Sequence, residues 1–328
     1  MRDTLGRQIN YLRVSVTDRC NLRCVYCMPA SGVPLVERSE ILSLEELNLF
    51  LAAAAAAGIT RVRFTGGEPL LRRGLTSLVR QTAALPGITD VSLTTNGLLL
   101  GDMAGELKAA GLSRVNISLD SLRPGRYAAI TRGGDLAQVW RGIRAALAAG
   151  LEPVKINTVV VRGLNDDELE DLARLTIEPG LHVRFIELMP ISSAALFTAD
   201  SLVSAAEIRA HLAGMGRWEP VPGPAGGGPA RYVRLPGAAG TVGFISALSE
   251  HFCGACNRLR LTANGCLRAC LYHGAEWDVK GLLRAGHPRE RLLTELADVV
   301  RTVAAAKPAG HQLQGGWTDQ RSMSQLGG

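Results

Sequence analysis

Aromatic side chains make up only 5% of this 328-residue chain, and no apolar run is long enough to cross a bilayer. The longest such run, 49–59, is too short to span one. The opening residues 1–7, Met-Arg-Asp-Thr-Leu-Gly-Arg, lack the apolar stretch of an export signal. Scarce aromatics leave few platforms for stacking bases, and the net charge of +6 comes from arginines spread along the chain. Nucleic acid and membranes are therefore poor partners, and a small anionic substrate is the better explanation of the basic excess. A cytoplasmic, reducing setting is expected, in which the seven cysteines read as metal ligands rather than disulfides. With 47% hydrophobic residues, a chain of this length can bury one large core plus a smaller appendage.

The cysteines fall into two sets. Cys20, Cys24 and Cys27 form C-x3-C-x2-C directly after the strand-like run 11–16, and no fourth cysteine lies nearby. Three soft thiolates with an open fourth position suit a reactive iron–sulfur cluster; a zinc knot or buried free thiols are the alternatives. Some forty residues on, Thr65-Gly66-Gly67-Glu68-Pro69 ends another strand-like run. Its two glycines allow a backbone to approach a ligand without interference from a Cβ, and the proline stiffens the exit. The second set is Cys253 and Cys256, then Cys266 and Cys270. It reads as C-x2-C-x13-C if Cys270 is the third ligand, or as a four-cysteine zinc ribbon if Cys266 joins in. Between its pairs, Arg258 and Arg260 share one face of any strand, beside the metal, where they suit a phosphate or nucleobase.

Between these sets the chain keeps a rhythm. Strand-like runs at 11–16, 61–65, 91–95, 114–119, 154–161 and 182–187 alternate with helix-like stretches near 44–57, 73–84, 102–110, 135–149 and 166–176. Ser43 and Glu46 form a capping box for the first helix, and Gly58 ends it. Six βα units predict an α/β fold with a parallel sheet, two units short of a TIM barrel, with a doubly wound sheet as runner-up. The barrel is preferred because the motifs all fall at C-terminal strand ends. The proline- and glycine-rich 220–229 reads as a loop. It divides an expected 1–220 partial barrel with the first cluster from 221–328 with the second.

C-x3-C-x2-C followed by Gly-Gly-Glu-Pro resembles the radical S-adenosylmethionine (SAM) enzymes. Two three-cysteine sites, Arg258-x-Arg260, the stretches 184–190 and 243–246 and a terminal Gly327-Gly328 resemble one family among them, the GTP 3′,8-cyclases of molybdenum cofactor biosynthesis (the MoaA family). The resemblance implies an incomplete (β/α)6 TIM-like barrel and two [4Fe–4S] clusters, on Cys20, Cys24 and Cys27 and on Cys253, Cys256 and Cys270. It implies a lyase that cleaves SAM to a 5′-deoxyadenosyl radical, removes the 3′ hydrogen of GTP and joins C3′ to guanine C8. SAM contacts fall to Tyr26, Gly67, Ser118 and Met189. GTP contacts fall to Arg13, Arg63, Thr94, Lys155, Arg258, Leu259 and Arg260, the last three partly through backbone. Also implied are an external one-electron reductant, cyclic pyranopterin monophosphate synthase as the next enzyme, and a monomer or homodimer. The family typically has another residue at Cys266, which follows the hairpin-like Asn264-Gly265. A radical SAM peptide-modifying enzyme with an auxiliary cluster is the alternative.

Overall fold

The computed structural model describes residues 1–191, 198–272, 275–311 and 321–327. Its strands follow from a two-residue alternation. In β1 (Tyr11–Ser15), Leu12 and Val14 are wholly buried on one face, and Tyr11, Arg13 and Ser15 occupy the other. The same pattern sets Val62 and Phe64 against Arg61, Arg63 and Thr65 in the strand that follows the first helix. That helix, α1 (Leu44–Ala56), begins at the expected capping box: Glu46 N–H donates to Ser43 Oγ at 3.1 Å, and Ser43 N–H donates to the Glu46 carboxylate at 2.7 Å.

The repeat continues through β2 (Arg61–Thr65), α2 (Leu75–Ala83), β3 (Asp90–Thr95), α3 (Leu100–Ala109), β4 (Arg114–Ser118), α4 (Pro124–Thr131), α5 (Leu136–Ala148), β5 (Lys155–Val160), α6 (Leu169–Arg174) and β6 (His182–Glu187). Helix α4 is not among the expected elements; proline at its first turn is its one local signal. Then come α7 (Ala205–Leu212), β7 (Glu219–Val221), β8 (Arg231–Arg234), β9 (Thr241–Ile245), β10 (Arg258–Leu261), β11 (Cys266–Arg268), β12 (Glu276–Asp278), α8 (Val279–Leu283), α9 (Arg289–Ala305) and α10 (Met323–Leu326). Pro220 and Val221, expected in the loop, lie in the edge strand β7, where a proline costs no ladder bond to a further neighbour.

Among the described residues one 12-stranded sheet runs β12-β11-β10-β1-β2-β3-β4-β5-β6-β9-β8-β7. Its six sequential parallel strands gain a parallel neighbour at each side, β10 on β1 and β9 on β6. The sheet therefore includes strands from both sides of the proline- and glycine-rich 220–229 stretch. Each of β10, β1 to β6 and β9 contributes inward side chains to a single cavity, which requires the sheet to curl. Its ends do not pair, so the barrel is incomplete. No helix among the described residues is long and apolar enough to cross a membrane.

Candidate active site

The first cysteine loop is strapped down on two sides. Arg23 and Val25 donate backbone hydrogen bonds to Thr131 and Ile130 at the end of α4, at 3.1 and 2.9 Å. On the other side, Gly67 and Glu68 donate to the carbonyls of Thr17 and Arg19, each at 2.8 Å. The glycines of the Gly-Gly-Glu-Pro turn are thus needed for an approach within the chain itself. A Cβ on Gly66 would enter the Thr17 carbonyl oxygen, and one on Gly67 that of Arg19. Glu68 turns inward and accepts from Leu70 N–H, Thr95 Oγ1 and Asn96 N–H at 2.7–3.0 Å, while burial pushes its carboxyl up to about 7. Burial also pushes the Cys24 thiol well up and that of Cys27 to about 12; the Ser324 N–H of the tail acts the other way on Cys27. Tyr26, which lines the same cavity, donates to the buried Asp120 carboxylate at 2.7 Å. The resemblance puts SAM against this turn, so Gly67→Ala is expected to force the turn away from the loop and weaken SAM binding at least tenfold, about 1.4 kcal/mol. Isothermal titration of the iron-loaded variant checks this; wild-type affinity would separate the turn from SAM.

Below the loop the cavity wall is cationic. The parallel register sets Arg260 of β10, Arg13 of β1 and Arg63 of β2 side by side. Burial first, and neighbouring arginines after it, lower all three guanidinium pKa values, Arg260 to about 9 and Arg63 to about 10. Arg184 of β6 lines the same space, 2% exposed, and donates to Asn116 Oδ1 at 2.5 Å. The Arg13 Nε, Arg63 Nη2, Arg184 Nε, Thr94 Oγ1, Asn157 Oδ1 and Tyr11 hydroxyl are buried here without a protein partner. So many orphaned groups in one cavity mark a polar ligand site, since protein interiors rarely leave them unpaired.

The second cysteine set lines the same cavity. Cys253, Cys256 and Cys270 face the cavity, and Cys266 is not among its lining residues. Cys266 lies in β11 beyond a hairpin in which Thr262 N–H donates to the Cys266 carbonyl at 2.9 Å, and its thiol contacts Thr262 and Glu276. Burial raises the Cys256 thiol, but Arg258 and Lys307 outweigh it and bring the group down to about 6. Arg258 also lies 5.1 Å over the Phe252 ring.

Residues 14–176 match the Radical SAM superfamily model, and 181–313 match Molybdenum Cofactor Synthesis C. A GTP 3′,8-cyclase of Pelotomaculum thermopropionicum is 57% identical, and one of Moorella thermoacetica 56%, each over 100% of both chains. The chain belongs to the GTP 3′,8-cyclase family. Streptococcus suis SuiB bound to precursor peptide SuiA shares the fold, with a TM-score of 0.61 at 14% identity over 90% of this chain and 65% of that one. At that identity the likeness concerns the fold alone.

As a radical SAM enzyme the protein uses a [4Fe–4S] cluster and SAM. The first three cysteines fit that group: soft donors on one loop face a cavity that also holds the glycine turn and unpaired polar atoms. No three His, Cys, Asp or Glu among the described residues converge as they would on a single ion. Of the residues expected at SAM, Tyr26, Gly67, Ser118 and Met189 all line this cavity. Of those expected at GTP, Arg13, Arg63, Thr94, Arg258 and Arg260 do. Two differ. The Leu259 side chain is wholly buried on the outer, helix-covered face, because it alternates with Arg258 and Arg260; only its backbone could serve. Lys155 does not line the cavity. Its ammonium donates to the Ala225 and Pro224 carbonyls at 2.6 and 3.4 Å, because the 222–230 connection folds under the N-terminal strand ends. The sequence does not single out Arg184, Asn157 or Lys307 as site residues, and it marks Glu68 only as part of its turn. Arg184 had the signal Arg13 had, a lone cation alternating with apolar residues in a strand.

Proposed function

We propose that this GTP 3′,8-cyclase of molybdenum cofactor biosynthesis holds its two reactants between two three-thiolate sites. Cys20, Cys24 and Cys27 would carry the first [4Fe–4S] cluster, with Tyr26, Gly67, Ser118 and Met189 around SAM. Cys253, Cys256 and Cys270 would carry a second, beside which Arg258 and the Leu259 backbone receive the guanine. When bound, the first cluster and SAM supply the radical chemistry that takes the 3′ hydrogen of GTP and lets C3′ join C8. The observation that carries the substrate assignment is the registered wall Arg260-Arg13-Arg63, three guanidiniums side by side on the cavity face with Arg184 lining the same space. A triphosphate offers this wall matching negative charge, with Thr94, Arg184 and Lys155 completing the cradle. Lys155 joins only if GTP draws it from the Pro224 and Ala225 carbonyls.

The tail belongs to the same site. Gly327 packs against Ser15 and Thr65, and its carbonyl accepts from Arg260 at 3.4 Å, while Met323 and Ser324 line the cavity. Gly328 lies outside the described residues. In this reading 1–220 and 221–328 are the two functional parts, and the chain works in the cytoplasm as a monomer or homodimer. It takes one electron at a time from an external reductant, and cyclic pyranopterin monophosphate synthase uses its product.

The test is anaerobic incubation of the iron-loaded protein with SAM, dithionite and GTP deuterated at C3′. Deuterium should appear in 5′-deoxyadenosine, together with a cyclised nucleotide triphosphate. Unlabelled 5′-deoxyadenosine would refute hydrogen removal from C3′. Deleting residues 327–328 should cut turnover at least tenfold with the same iron content; full turnover would return the tail to a structural role.

A further inference from the structure

Lys307, directly after α9, is 5% exposed, and its ammonium lies at the cavity wall. It donates to the Arg258 carbonyl at 2.8 Å and to the Ala269 carbonyl at 2.6 Å. Those two carbonyls stand two residues after Cys256 and one before Cys270, so a single side chain ties together two cysteine segments that meet only in the folded chain. The remaining cysteine is tied by a second cation. Arg7, paired with Asp3 at 2.5 Å, donates to the Cys253 carbonyl at 2.9 Å and to the Lys307 carbonyl at 3.0 Å. The Cys253 thiol itself accepts from the His311 backbone. Each of the three thiols is therefore held through the backbone next to it, and Lys307 is the node. Among the described residues no carboxylate pairs with Lys307: its ion-pairing neighbours are Cys256 and Cys270, with Arg258 beside it. A buried ammonium in such surroundings requires negative charge on the thiol side.

We propose that Lys307 is a positioning residue of the second thiolate site, fixing the spacing of Cys256 and Cys270 and placing its ammonium beside them. The inference rests on the second-cluster reading above. A cluster gains negative charge on reduction, so an adjacent cation favours its reduced form and raises its potential.

Two substitutions separate the tie from the charge. Lys307→Gln keeps N–H donors for the carbonyls and removes the charge; Lys307→Met removes both. Iron per chain and an EPR-monitored redox titration are read on wild type and both variants, with SAM added so that the first cluster's signal is told apart by its perturbation. Wild type with about eight irons per chain upholds the two-cluster reading, and about four would end that reading whatever the variants did. In Lys307→Gln the iron should stay and the second cluster should bind its electron at least tenfold less well, a fall of about 59 mV, with the first cluster unshifted. In Lys307→Met at least half of the second-site iron should be lost. An unshifted potential in Lys307→Gln would overturn the proposal. Iron loss in Lys307→Gln equal to that in Lys307→Met would overturn it as well, because the amide retains the donors that the role requires. If Lys307→Met does not fold, Lys307→Gln decides alone.

Discussion

Cys270→Ser is expected to halve the iron of the reconstituted protein, from about eight to about four per chain, and to stop GTP cyclisation, whereas Cys266→Ser leaves both unchanged. The two thiols are four residues apart and sequence spacing admits either as third ligand. Tertiary geometry separates them. Cys270 faces the cavity with Cys253 and Cys256. Cys266 is held in the β10–β11 hairpin, its N–H donating to Thr262 Oγ1 at 2.9 Å and its position paired with Asp278 of β12. To reach the other thiols it would have to leave the ladder and break those bonds. SAM should still bind Cys270→Ser, since the first cysteine loop hangs on α4 and on the Gly-Gly-Glu-Pro turn rather than on β11. Iron and sulfide analysis with a turnover assay decides between them, and the reverse pattern would make Cys266 the ligand.

Arg13→Met is expected to weaken GTP binding 100- to 1000-fold and, in the ligand-free protein, to raise stability by about 1 kcal/mol. Arg13 stands between Arg260 and Arg63 on the same face, with burial first and these neighbours next disfavouring its charge. A methionine of similar length fills the space without that penalty. In the complex the balance inverts: one guanidinium against a phosphate contributes up to about 4 kcal/mol at an effective dielectric near 20. Denaturant titration without ligand and calorimetry with GTP measure the two halves. Lower stability with unchanged GTP affinity would make Arg13 a structural residue. The expected trade of stability against binding is what a site preorganised for an anion entails.

The βα rhythm was legible because each strand alternates locally: Leu12 and Val14 declare one face, Tyr11 and Arg13 the other, without reference to any partner. The capping box at Ser43 and Glu46 was legible for the same reason, since its whole geometry lies within four residues. Helix α4 was harder, having proline as its only boundary signal and burying just Tyr127, Ile130 and Thr131. Arg184 does not stand out although its strand alternates like the others, because an isolated arginine in a strand reads as an ordinary surface charge.

What the sequence by itself determined was the chemistry: two sets of thiols, a glycine turn one strand on from the first, and cations placed at alternating strand positions. All of these depend on residue type and short spacing. Tertiary structure alone decided which of them meet. Nothing local says that β10 pairs with β1, yet that pairing sets Arg260 beside Arg13 and brings the second thiols to the cavity of the first. Nor does spacing say that Lys155 finds the 222–230 carbonyls, that Leu259 faces the helices, or that Lys307 bridges two cysteine segments. Such contacts join residues tens to hundreds of positions apart. They form only when burial of the outer, apolar strand faces curls the sheet and turns its polar faces onto one another.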